Sequence, residues 1–88
     1  MCRNIRTLFN FEPPATDEEI RASALQFARK LSGFARPSKV NEAAFDRAVD
    51  EFSDVARRFL ESLDASRPPR DRVVEAIKAK ARTRERFA

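Results

Sequence analysis

The stretch from Val40 to Leu63 is the feature that the rest of this chain has to accommodate. Phe45, Phe52 and Phe59 recur in it every seven residues. Ala48, Val49, Val55 and Ala56 fall between them, and Leu63 closes the run. An apolar residue at every third or fourth position makes one face of an α-helix. The other face carries Asp46, Arg47, Asp50, Glu51, Asp54, Arg57, Arg58 and Glu61. Asp54 and Arg58 have the spacing of a favourable ion pair, whereas Asp46, Asp50 and Asp54 repel one another along one strip. An amphipathic helix draws most of its stability from burying its apolar side, so the remaining elements are expected to cover it.

A second helix precedes this one. Thr16-Asp17-Glu18-Glu19 has the form of a capping box, with three acidic side chains at the positive end of the helix dipole. Ile20, Ala24, Phe27, Ala28 and Leu31 share a face, with Leu25 at its edge. Gly33, the only glycine, is placed to end the helix in the left-handed region, with Phe34 folding back on the last turn. Asn41 is the expected N-cap of the long helix, Ser38 the alternative, and Val40 with Phe45 has the spacing of a hydrophobic staple. Upstream, Ile5, Leu8, Phe9 and Phe11 precede Pro13-Pro14 and are expected to form an arm laid on the core. Downstream, Arg67-Pro68-Pro69 is a break. Asp71 can cap a third helix with Val73, Val74, Ile77 and Ala81 as its apolar side.

The expected architecture is all-α: a small helical bundle with an antiparallel hairpin of the first two helices, covered by the third helix and the arm. A single domain is expected over residues 1–88. Its parts are an arm (1–15), helices over 16–33, 41–64 and 71–82, and a basic tail (83–88). With 88 residues, 42 % of them hydrophobic, the core is small and stability marginal. Cys2 is the only cysteine, so an internal disulfide is excluded, and a cytoplasmic location is expected. Nothing approaches the length of a membrane span, and Met-Cys-Arg-Asn-Ile lacks the apolar region of a signal peptide.

The residue types present exclude several chemistries. There is no histidine, hence no Ser-His or Cys-His nucleophile pair and no imidazole ligand. One cysteine cannot build a structural zinc site, and one glycine cannot build a phosphate loop. The acidic pairs all lie on the polar strip of the long helix, and none is placed in a pocket. No cofactor is expected, and a non-enzymatic role is.

Three sets of residues remain as candidate interaction sites. The first is the basic C-terminal segment, which includes Arg82, Arg84 and Arg86. Residues 1–66 hold 10 Lys/Arg and 11 Asp/Glu, whereas residues 67–88 hold 8 and 3, so the basic character belongs to the last quarter. Charge of this kind binds any polyanion without sequence preference. The second set is Cys2, Arg3 and Asn4. Positive neighbours favour the Cys2 thiolate, which makes thiol or metal handling a third reading. The third set is Arg36, Ser38 and Lys39 in the connection between the first two helices. A protein partner, or a second copy burying surplus apolar surface along the long helix, completes the alternatives.

Two resemblances accompany this reading. Met-Cys-Arg-Asn-Ile-Arg-Thr-Leu, Asn-Phe-Glu-Pro-Pro-Ala-Thr, and the segment from Lys30-Leu-Ser-Gly33 to Arg36-Pro-Ser-Lys-Val-Asn-Glu-Ala-Ala-Phe-Asp-Arg-Ala-Val49 resemble a family of short bacterial proteins catalogued only as a domain of unknown function. The resemblance covers residues 2–63 and implies a small, mostly helical, cytoplasmic protein. It transfers no activity and no residue role. Pro-Pro-Ala-Thr-Asp-Glu-Glu-Ile-Arg followed by a helix, a loop and a long helix is similar, more weakly, to the J domains of co-chaperones. Those depend on a His-Pro-Asp loop, where this chain has Phe34-Ala-Arg-Pro-Ser-Lys39 and no histidine, so chaperone stimulation is not implied.

Overall fold

The computed structural model describes residues 5–87, with the side chains of residues 5–85. Helix α1 (Asp17–Ser32) begins at the capping box. The Glu19 amide donates to Thr16 Oγ1 at 3.2 Å, and the Thr16 amide donates to Glu19 Oε1 at 3.0 Å. It ends at Gly33, whose φ of 76° lies in the left-handed region. The Gly33 N–H donates to the Arg29 carbonyl at 2.8 Å, closing the last turn.

Helix α2 (Lys39–Ser62) starts earlier than its sequence indicates. Ser38, not Asn41, occupies the N-cap. Asn41 sits inside the first turn, its amide donating to the Ser38 carbonyl at 3.0 Å and its side chain to Ser38 Oγ at 3.3 Å. Pro37 fixes the backbone before Ser38, so the chain turns into the helix there. The expected staple is absent, because Val40 is 92 % exposed.

The two helices form an antiparallel hairpin, the expected central unit. Ion pairs cross it from Asp17 to Arg57 at 3.0 Å and from Arg21 to Asp50 at 2.6 Å. Arg57 also takes Asp54 at 3.2 Å, so Asp54 pairs one residue earlier than the expected Arg58. Two of the three clustered aspartates thereby gain cations. The core is narrow: Ile20, Ala24, Ala28 and Val49 are its buried apolar residues, with Ser53 beside them. The Ser53 hydroxyl is satisfied by donating to the Val49 carbonyl at 2.7 Å. Leu25, Phe45 and Phe52 pack on this seam without being enclosed.

The arm docks through backbone and side chain together. Strand β1 (Phe11–Glu12) pairs in parallel with strand β2 (Arg70–Asp71), Phe11 facing Arg70 in register. Asn10 adopts φ 63°, a conformation asparagine tolerates well. Its carbonyl accepts from the Arg70 amide at 2.9 Å, and its side-chain amide donates to the Arg67 carbonyl at 3.0 Å. Leu8, Phe9 and Phe11 are half-buried and line one cleft with Ile20 and Leu60 at the open end of the hairpin.

Helix α3 (Arg72–Phe87) continues past Ala81, where the apolar pattern stops. Asp71 caps it, accepting from the Val74 amide at 3.0 Å. Its first residue is bolted to the body. Arg72 donates to the Pro13 carbonyl at 2.6 Å and to Glu19 Oε2 at 2.9 Å. The Arg70 and Arg72 guanidinium groups lie 5.4 and 5.8 Å from the Phe11 ring centre. The apolar side behaves differently from its sequence reading. Val73 is 68 % and Ile77 62 % exposed, and no described side chain of α3 is buried. The helix meets the arm and the open end of the hairpin with its Arg72, Glu75, Ala76 and Ala79 side, leaving Val73, Val74 and Ile77 facing outward. The whole molecule measures 45 × 36 × 16 Å. α1 packs on α2, and α3 packs along neither of them, so the hairpin is a single layer of helices.

Candidate interaction face

The consequence of a single layer is an uncovered apolar face on the hairpin. On α2, Phe45, Ala48, Phe52, Val55 and Phe59 follow one another at intervals of three and four residues, so they stack along one side. On α1, Phe27 and Leu31 stand beside them. The Phe27 and Phe52 rings meet edge to face, with centres 5.1 Å apart and planes at 63°. That is a favourable aromatic arrangement. Phe45 and Phe52 are half-buried, whereas Val55 is 56 % and Phe59 59 % exposed. The regular phenylalanine spacing thus describes a surface more than a core.

At the closed end of the hairpin this face deepens into an open groove of about 270 Å³. Ala28, Leu31, Ser32, Phe34, Asn41, Ala44, Phe45, Ala48 and Phe52 line it, and none of them carries a charge. The electrostatics of the groove therefore select neither a cation nor an anion; shape and apolar area are what it offers.

The opposite face of the hairpin is polar. Asp17, Arg21, Asp50, Ser53, Asp54 and Arg57 lie together there, joined by two ion pairs across the hairpin and one within α2. Each of these pairs is solvent-exposed and adds little to stability. Among the described residues no group of three or more His, Cys, Asp or Glu is arranged to hold a metal.

The residues singled out from sequence distribute as follows. Arg36, Ser38 and Lys39 are exposed in the connection at the closed end. Ser38 is occupied with Asn41. Lys78, Lys80, Arg82 and Arg84 are exposed along α3, and Lys78 lies 3.9 Å from Glu75. Cys2, Arg3 and Asn4 lie outside the described residues, as does the side chain of Arg86.

Sequence reasoning missed one joint. Glu19 closes the capping box with one oxygen and takes Arg72 with the other. The Arg72 hydrogen bond, reinforced by the Thr16 amide, holds the Glu19 carboxyl at about 2, well below its ordinary 4.5. Arg70 and Arg72, counted by position with the basic C-terminal segment, are structural residues of the body. The only signal in the sequence was the coincidence of an N3 glutamate and an arginine just after a proline break.

The polypeptide matches a family model described as an uncharacterised conserved protein, DUF2277, over residues 1–79. No curated protein and no solved structure matches the chain. The match spans the arm, the hairpin, the joint and the first half of α3, and it supports the resemblance read from the opening and the Arg36–Val49 segment: the chain belongs to the DUF2277 family of uncharacterised conserved proteins.

Proposed function

We infer that this protein is a non-enzymatic protein-interaction module and that the phenylalanine face of the hairpin is its working surface. One observation carries the reading: large apolar side chains of α1 and α2, among them Phe27, Leu31, Val55 and Phe59, stand exposed along one side of the hairpin. Contiguous apolar surface on this scale marks an interaction site. Phenylalanine is among the residues enriched at the buried centre of interfaces. A cytoplasmic, bacterial setting fits a chain whose lone cysteine forms no internal disulfide, and no helix among the described residues is long and apolar enough to cross a membrane.

The test is a photo-crosslinking amino acid at Val55, compared with the same group at Arg47 on the polar side of α2. Val55 is expected to crosslink a protein, of whatever identity, and Arg47 is not. Absence of any crosslink from Val55 removes the reading.

A second reading has its own observation. Lys78, Lys80, Arg82 and Arg84 are exposed on α3, away from the joint that occupies Arg70 and Arg72. These cations, divided between two sides of α3, have the charge to bind nucleic acid. Phosphate binding of that kind is unspecific and falls steeply with salt. Titrating the full chain with mixed-sequence DNA and RNA at two salt concentrations separates the readings. Binding at physiological salt that is lost on deleting residues 79–88 supports the basic end of α3.

A further inference from the structure

We propose that the occupant of the phenylalanine face is a second copy of this chain, stacked as the missing layer of a two-fold dimer with α2 antiparallel to α2 and Phe52 on the axis. The proposal rests on the reading of that face as an interaction surface and names its partner.

The first argument is the amount of surface. The chain exposes 7493 Å², whereas a compact monomer of 10.1 kDa exposes about 5,300 Å². Its radius of gyration is 15.8 Å, against about 12 Å for a compact domain of this length. The surplus of about 2,200 Å² includes the surface of α3, which stands off the hairpin, and still exceeds the roughly 800–1,000 Å² that one subunit contributes to a stable interface. Stable domains bury the apolar side of a helical layer against a second layer. The hairpin of this chain provides one layer, and an identical layer laid on it provides the other.

The second argument is a symmetry in α2 itself. Counting outward from Phe52, Ala48 is matched by Ala56 and Phe45 by Phe59. A two-fold axis across an antiparallel helix pair sets each residue level with the one equally far on the other side of the axis in the partner. Large and small positions therefore recur at matching levels, while Val55 comes level with Val49, which is buried between α1 and α2. Phe45 comes level with Phe59 of the partner subunit, Ala48 with Ala56, and the two Phe52 rings meet at the centre. Large and small layers then alternate along the seam as interdigitating helices require. Phe27, already against Phe52, brings α1 to the same axis, so four rings converge there and two hairpins close into a four-helix bundle.

The third argument is that nothing else in the described chain covers the face. The arm occupies the open end, and α3 presents its Val73 and Ile77 to solvent. The absence of charge in the groove also removes electrostatic preference for a strongly charged partner.

Self-association of the full chain is measured by sedimentation equilibrium from about 1 to about 100 μM. A dimer is expected. Phe59→Asp and, separately, Val55→Asp should each weaken it by at least about 100-fold, with helical content retained because both side chains are exposed in the single subunit. The register is read in a Cys2→Ser background. Chains carrying Ala48→Cys mixed with chains carrying Ala56→Cys should form the mixed disulfide, and neither should crosslink with itself. A monomer throughout the range overturns the proposal. If Val55 still crosslinks another protein, the interaction reading survives; if it crosslinks nothing, both fall. A dimer unaffected by both aspartate variants, self-crosslinking of Ala48→Cys, or DNA binding by a chain that remains monomeric each overturns it as well.

Discussion

Gly33 and Glu19 show how single residues set this fold, one through backbone and one through charge. An added Cβ at Gly33 meets no atom within 4 Å, so the whole cost of Gly33→Ala is the left-handed φ of 76°. That cost is about 1 kcal/mol, read as a lower urea midpoint with unchanged slope. Glu19 gives a pH signature. Its carboxyl is depressed to about 2 when folded, against an ordinary 4.5. The linked stability is therefore fully present above about pH 4.5 and drains away as pH falls toward about 2. Glu19→Gln should flatten the acid limb of a pH–stability curve in that window, and an unchanged limb would show that the Arg72 contact carries no stability. The capping half of this residue's role was legible, because Thr16 and Glu19 are three apart. The Arg72 half was not, because 53 residues separate the partners and no local rule connects them.

At the scale of elements, periodicity located all three helices and misjudged how deeply they are buried. The spacing of Phe45, Phe52 and Phe59 identifies a face but carries no information on whether that face meets the same chain. The same holds for Val73, Val74 and Ile77 on α3, which have the spacing of a packed side and are exposed. Because no described side chain of α3 is buried, removing residues 79–88 should leave the melting temperature within about 2 °C of the full chain. A larger drop would mean that the distal half of α3 packs on something. The start of α2 makes a second case. Ser38 sits at the N-cap without a side-chain bond to the helix amides, since its hydroxyl is taken by Asn41. Ser38→Asp places a carboxylate at the positive end of the dipole and should stabilise the fold by roughly 0.5 kcal/mol in chemical denaturation.

The molecule as a whole is thin, and thinness has a thermodynamic consequence. Folding of a domain this size leaves only a small net stability, and here the buried apolar set is Ile20, Ala24, Ala28 and Val49, two of them alanines. Enclosure of Phe27, Phe45, Phe52 and Phe59 by a second copy would supply the large apolar burial that the single layer lacks. Because that enclosure is bimolecular, mass action makes stability depend on protein concentration. Raising the concentration 100-fold adds about 2.7 kcal/mol per dimer, or about half that per chain, and should raise the melting temperature by roughly 5–10 °C. Phe59→Asp should lose the dependence and melt at one temperature throughout. A protein that unfolds at the same temperature at every concentration, wild type and variant alike, is stable as a single layer. The small seam between α1 and α2, with the joint of Glu19, Arg72 and Phe11 at its open end, would then hold the fold alone.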